Sequence, residues 1–304
     1  MNLSSSPLRY PGGKGVLADF IIDVILGNNL EECAYIEPFA GGAGAALNLL
    51  FEGIVKELYL NDADVTIFAF WHSILTETEK ILKMVRDTPV TIEEWQKQRK
   101  VLLNERGDMV SLGFAAFFLN RCNRSGIIYS AGPIGGFNQT GKWKIDVRFN
   151  KLKLKKRIEK IALHKDKIKI SNKDAVDFLM IIPYDILKSA FIYFDPPYFA
   201  KGRKLYMNYF KEDDHRNLSD YINVWNNPYW IMTYDDAEFI RILYNRYRLF
   251  SYHINYSLQE KRKGEELLIT PRHIFLPAAI KINGKIIPLS QQTAAKGEYH
   301  GYNN

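Results

Sequence analysis

Ala34-Tyr35-Ile36 is a short apolar run that stops at Glu37-Pro38 and enters Phe39-Ala40-Gly41-Gly42-Ala43-Gly44. Ala45 to Phe51 then places apolar residues at helical spacing, and Glu57 to Leu60 reads as a second strand closed by Asn61-Asp62. Strand, glycine turn, helix, and strand with an acid at its tip form the nucleotide-binding half of a doubly wound α/β sheet. The glycines let the backbone turn tightly and approach a ligand, and the helix start aims free N–H groups at the loop. The loop lacks the three-glycine G-x-G-x-x-G dinucleotide fingerprint, so a plain tight turn is its alternative when it is taken alone. An acid at Asp62 can accept from both ribose hydroxyls; capping a following helix is the other reading.

Outward from this unit, Leu17 to Leu26 reads as helix, and the chain turns helical from about Ile67 to Leu119. Gly126 to Val147 is glycine-rich and reads as loop plus hairpin, and Lys151 to Ala162 as a basic helix. The sheet resumes at Ile168 to Ser171, Ala190 to Phe194 and Tyr229 to Thr233, and Tyr247 to Tyr256 with Glu266 to Thr270 reads as a final strand pair. Residues 291–304 read as a loose tail. The chain ends thus share one sheet, residues 1–66 plus 166–290, around an insert over 67–165.

Asp195-Pro196-Pro197-Tyr198 directly follows the apolar run Phe191-Ile192-Tyr193-Phe194. Two prolines fix φ and remove two N–H donors, so the strand must stop there. They leave semi-rigid chain at the carboxyl edge of the sheet, where such folds bind ligands. An aromatic amine offers two N–H donors and a flat face. The Asp195 carboxylate and the Pro196 carbonyl can accept the two hydrogens, and Tyr198 can stack on the ring. A proline-rich strand exit without function is the alternative. Nearer the start, Arg9-Tyr10-Pro11-Gly12-Gly13-Lys14-Gly15 is a glycine turn able to hold a carboxylate or phosphate, or simply a solvated turn.

The 304 residues are 47% hydrophobic and 25% charged, enough to bury a core. A net charge of +7 points to an anionic partner. Cys33 and Cys122 can build neither a paired-thiol nor a zinc spacing, and the six histidines are scattered, so no metal is expected. Met1 to Ser6 is polar, Asp19 and Asp23 break the first apolar run, and no stretch reaches the roughly 20 apolar residues of a membrane span. A cytoplasmic protein is expected.

These four blocks, in this order, resemble the Dam-like family of adenine-specific DNA methyltransferases of the DPPY type. The likeness runs from Leu8 to about Pro271 and takes in Leu119-Asn120-Arg121, Gly135-Gly136-Phe137-Asn138 and Lys263 to Leu268. DPPY alone is moderately specific; all the blocks in sequence are highly specific. The resemblance implies a Rossmann-like AdoMet-dependent methyltransferase sheet with an inserted, mostly helical DNA target-recognition domain. It also implies methyl transfer from S-adenosyl-L-methionine to N6 of a flipped adenine in double-stranded DNA. Tyr10, Lys14, Glu37, Phe39, Gly41, Asp62, Asp174 and Asp195 would border the cofactor, with Tyr10 standing where many members carry tryptophan. Asp195, Pro196, Pro197 and Tyr198 would hold the target adenine.

Lys142, Lys144, Arg148, Lys151, Lys153, Lys155, Lys156, Arg157 and Lys160 crowd one segment. They fit a phosphate-contacting surface or a solvated helix face. Base readout would fall to the loop 120–129 and the hairpin 135–144. The candidate readers are Asn120, Arg121, Arg124, Asn138 and Gln139, because arginine can be bidentate to guanine and asparagine or glutamine to adenine. GATC-reading members tend to have an aromatic where Arg124 stands and an arginine near Tyr129, so GATC specificity is not carried over. A monomer is expected, acting as an orphan or beside a separate restriction endonuclease. Competing readings are transfer to cytosine N4 or RNA adenine, a nicotinamide dehydrogenase, and a non-catalytic DNA-binding protein. DPPY and the missing third glycine oppose the dehydrogenase; Asp62 and the Lys14 segment oppose the binding protein.

Overall fold

A computed structural model describes residues 5–9, 14–104, 108–199, 210–225, 229–255, 263–282 and 285–292. Its strands are β1 (Ala34–Glu37), β2 (Glu57–Asn61), β3 (Ile168–Ser171), β4 (Phe191–Phe194), β5 (Trp230–Asp235), β6 (Arg248–Asn255), β7 (Lys263–Thr270), β8 (Ala279–Ile282), β9 (Lys285–Pro288) and β10 (Ser290–Gln292). Eight of them form one sheet in the order β10-β6-β7-β5-β4-β1-β2-β3. β3, β2, β1, β4 and β5 run parallel. β7 is antiparallel to both β5 and β6, and β10 to β6. The chain winds outward from β1 to one side and from β4 to the other, which opens a crevice at the carboxyl ends of these two neighbours.

Successive side chains of a strand point to opposite faces, and both faces of this sheet are covered. Tyr35, Leu58, Leu60, Phe191 and Tyr193 pack with α1 (Ala18–Gly27) and α2 (Gly44–Phe51). The same apolar cluster continues into α3 (Val65–Thr76), α4 (Thr78–Asp87), α5 (Ile92–Asn104), α6 (Met109–Cys122) and α7 (Lys151–Ala162). Ala34, Ile36, Ile192, Phe194 and Met232 face α8 (Ala175–Ile181), α9 (Tyr184–Leu187), α10 (Glu212–Val224) and α11 (Glu238–Leu243). Helices α3 and α6 touch so closely that a Cβ on Gly113 would lie 2.5 Å from the Ala69 carbonyl oxygen. Asp108 starts α6 by accepting from the Val110 and Ser111 amides at 2.9 and 3.0 Å.

Two expectations need correction. Residues 135–144 form no β-hairpin; the pairing there is a single bridge, Asn123 to Pro133. Gly135, Gly136 and Gln139 all take positive φ, and the Gln139 amide bonds back to the Ile134 and Gly136 carbonyls, so the loop closes on itself instead of extending. Gln291 and Gln292 belong to β10, paired with β6, and are not tail; residues 293–304 lie outside the described residues. The β8–β9 pair was not anticipated. No helix among the described residues is long and apolar enough to cross a membrane.

Candidate active site

The glycine loop after β1 is laced to the end of β2. The Ala40 amide donates to the Asn61 carbonyl at 2.8 Å, and the Gly41 amide to Asp62 Oδ2 at 2.8 Å. Gly41 and Ala43 both take φ near +46°, and α2 begins with no side-chain cap, so its first N–H groups face the loop. From the other side, a Cβ on Gly44 would lie 3.2 Å from Gly15 Cα, which seats the Lys14-Gly15 segment against the helix start. Asp62 also accepts from the Asp64 amide at 2.9 Å. Burial pushes its carboxyl up to about 7, and the charge of Asp64 adds to this. An acid at the lip of a positive-φ loop and an uncapped helix start fit a ribose-bearing cofactor.

Glu37, at the end of β1, is buried and accepts the Tyr35 phenol at 2.9 Å. Burial pushes its carboxyl up to about 8 against that bond, and the charge of Asp195 adds to the rise. Phe39 meets Phe210 edge-on, with ring centroids 5.7 Å apart. Asp174 sits exposed beyond β3 and caps α8 by accepting the Val176 amide at 2.9 Å. Tyr10 lies outside the described residues.

Asp195, Pro196, Pro197 and Tyr198 follow the end of β4, the neighbour of β1, outside any helix or strand. The Phe199 amide donates to Asp235 Oδ1 at 2.8 Å, which pins the turn after Tyr198 to the end of β5. Thr233 Oγ1 donates to Asp195 Oδ1 at 2.8 Å, and Lys14 Nζ lies 3.3 Å from the same oxygen. Among the described residues, the hydrogen bond to this carboxylate falls on Oδ1, which is also its oxygen nearest Lys14. Lys14 Nζ also donates to the Tyr198 phenol at 2.6 Å and lies 3.5 Å from Glu266 Oε1. Burial opposes the Lys14 charge, yet Asp195 and Glu266 hold its ammonium well above the ordinary lysine range. Burial likewise raises the Asp195 carboxyl; Lys14 pulls it down and Glu266 pushes it up.

The structure therefore brings together buried Lys14 and Glu37 with half-buried Asp195 and Tyr198, and sets the Gly41 loop against Asp62 at the end of β2. Sequence reasoning missed Glu266, Thr233, Tyr252 and Asp64. An acid directly before the apolar pair Leu267-Leu268 in a strand was the one available signal for Glu266.

The expected base readers divide. Arg124 and Asn138 are exposed, as are Lys142, Lys144 and Arg148. Asn120, Arg121 and Gln139 are corrected: they hold backbone. Asn120 is fully buried, accepts the Arg9 amide at 2.6 Å, and donates to the Arg9 and Gly126 carbonyls at 2.7 and 2.8 Å. Arg121 Nε donates to the Arg148 carbonyl at 2.7 Å. Gln139 Oε1 accepts the Ile145 amide at 2.8 Å, while its amide nitrogen is spent on the loop. Two aromatics beside the exposed cations, Phe137 and Trp143, are 58% and 60% exposed. Among the described residues, no group of three or more histidine, cysteine or acidic side chains could hold a metal ion.

The sheet order, with carboxylates at the ends of β1, β2 and β4, defines a Rossmann-like methyltransferase fold. A family model for D12 class N6 adenine-specific DNA methyltransferases matches residues 10–259, and the chain belongs to that family. It is an adenine-specific DNA methyltransferase, with DNA as its substrate. No curated protein matches the chain.

Proposed function

We propose that the chain transfers a methyl group from S-adenosyl-L-methionine to N6 of an adenine flipped out of duplex DNA. The observation that carries this is Asp195: Thr233 bonds Oδ1, which is also the oxygen nearest Lys14 Nζ, and Oδ2 is the oxygen offered to a hydrogen of an incoming amine. The Pro196 carbonyl accepts the second hydrogen. Together they favour a pyramidal nitrogen and stabilise the positive charge that grows on it.

Asp62 holds the ribose hydroxyls of the cofactor, and the Gly41 loop, Glu37, Phe39, Lys14, Tyr10 and Asp174 border the rest of it. When bound, S-adenosyl-L-methionine supplies a methyl group activated on a sulfonium. The chain's own task is to align the amine nitrogen with that methyl, worth several kcal/mol of barrier as pre-paid orientation. Flipping costs a few kcal/mol, and stacking on Tyr198 offsets part of it. Residues 67–165 serve as the DNA-reading insert, with Arg124 and Asn138 at base edges and Lys142, Lys144 and Arg148 on phosphates. The chain works as a monomer.

Nucleoside analysis of duplex DNA incubated with the protein and the cofactor tests the reading. N6-methyladenine is the expected product; N4-methylcytosine in its place overturns the proposal.

A further inference from the structure

Glu266 is fully buried on β7. Because β7 runs antiparallel to β5, its early residues lie at the carboxyl ends of the parallel strands; Glu266 stands in register with Asp235 on one side and Tyr252 on the other. Its Oε1 accepts the Tyr198 phenol, and its Oε2 accepts the Tyr252 phenol at 2.7 Å. Lys14 Nζ lies 3.5 Å from Glu266 Oε1 and 3.3 Å from Asp195 Oδ1, and donates to the Tyr198 phenol at 2.6 Å. One ammonium therefore sits between two carboxylates, with the Tyr198 hydroxyl bonded to both the ammonium and Glu266.

Such a group is a poor device for stability alone. Burying a second acid carries a desolvation penalty, and apolar residues of similar volume would close the same strands at least as well. What the arrangement does fix is geometry. The Tyr198 ring is held by its hydroxyl, and Lys14 is held nearest Oδ1 of Asp195.

We propose that Glu266 is a positioning residue for methyl transfer, fixing the Tyr198 ring and the Lys14 ammonium so that Asp195 Oδ2 is kept for the amine. The inference rests on the methyltransferase reading above. Without this carboxylate the phenol loses the bond to Glu266, and Lys14 turns toward Asp195, drawing charge from the group that must take the amine hydrogen.

The test is single-turnover methylation by the full chain carrying Glu266→Gln, Tyr198→Phe or both, with S-adenosyl-L-methionine affinity titrated separately. Glu266→Gln should slow turnover roughly ten- to a hundredfold, the worth of a hydrogen bond to a charged group, and leave cofactor affinity within about threefold. Tyr198→Phe keeps the ring but removes the hydroxyl, and should lose a similar factor. The double variant should lose clearly less than the product of the two, because both changes break one arrangement. A full rate in folded Glu266→Gln, a fully multiplicative double variant, or cofactor affinity falling in step with rate would each overturn the proposal. Should Glu266→Gln fail to fold, Tyr198→Phe and Tyr252→Phe decide: full rates in both overturn it, and slowed rates with cofactor affinity unchanged support it. The wild-type protein is scored first. Absence of N6-methyladenine there defeats the proposed function itself, whereas wild-type methylation with an unaffected Glu266→Gln defeats only this inference.

Discussion

Tyr129 Oη donates to Asp64 Oδ1 at 3.0 Å and lies 3.0 Å from Thr66 Oγ1, which ties the loop after α6 to the start of α3. The Asp64 amide in turn donates to Asp62 Oδ1 at 2.9 Å. A bonded path thus joins the segment expected to read DNA with the acid expected to hold the cofactor. Asp64 keeps its bond from the Thr66 amide when Tyr129 loses its hydroxyl, so Tyr129→Phe should cost only about 1 kcal/mol of stability. It should also move the ratio of cofactor affinities with and without duplex DNA several-fold toward one, if that path carries coupling. Equilibrium titrations in both conditions give the ratio; an unchanged value would remove the path from the account.

Asp195→Ala should abolish methylation, by on the order of a thousandfold or more, since it removes a preorganised acceptor at the reacting nitrogen. The fold should persist, because Lys14 retains Glu266 as a counter-ion in its buried site. Circular dichroism and a thermal melt check the fold, and labelled methyl transfer checks the rate. Substantial turnover in a folded variant would contradict the role.

Glu37 gives a pH signature. Its carboxyl is pushed from 4.5 up to about 8 by burial, so between these values the folded chain holds more protons than the unfolded one. Stability contributed by the protonated form is full below pH 4.5 and is lost as pH rises toward 8. Glu37→Gln can still accept the Tyr35 phenol but carries no charge. Without cofactor it should match the wild type near pH 4 and exceed it by a few kcal/mol, as an order of magnitude, near pH 9. Urea midpoints at the two pH values decide; a difference independent of pH would refute the assignment.

Gly126 takes φ +78°, and a Cβ there would lie 2.4 Å from the Arg9 carbonyl oxygen, the same oxygen that accepts from Asn120. Gly126→Ala should therefore destabilise the protein by about 2–4 kcal/mol through left-handed strain and the clash. It should also loosen the segment that delivers Lys14. A melting temperature equal to the wild type would show that residues 8–9 are not clamped as described.

Salt dependence separates the surface cations from the internal ones. If Lys142, Lys144 and Arg148 contact phosphates, each change to alanine should reduce the slope of log affinity against log salt by about 0.9. Gln139→Ala should leave the slope intact, because its amide closes the loop and carries no charge. Fluorescence anisotropy over a salt series measures the slopes, and three unchanged slopes would place the phosphate surface elsewhere.

The amino-acid sequence by itself determined the elements whose causes are local. The apolar run before Glu37-Pro38, the glycines of the loop, the acid closing Glu57 to Asn61 and the two prolines that end β4 each impose a backbone state or a strand edge through residues next to one another. Helix α7 falls on the Lys151 to Ala162 reading for the same reason. Only tertiary structure decided where polar side chains spend their hydrogen bonds. Asn120, Arg121 and Gln139 resemble base readers in sequence, yet they satisfy carbonyls and amides brought to them by Arg9, Arg148 and Ile145. Glu266 looks like one more strand residue until the antiparallel turn of β7 sets it beside Lys14 and Tyr198, residues 252 and 68 positions away in the chain. Buried polar atoms must find partners, and which partners lie within reach is fixed by the packing of distant segments, not by their order in the chain.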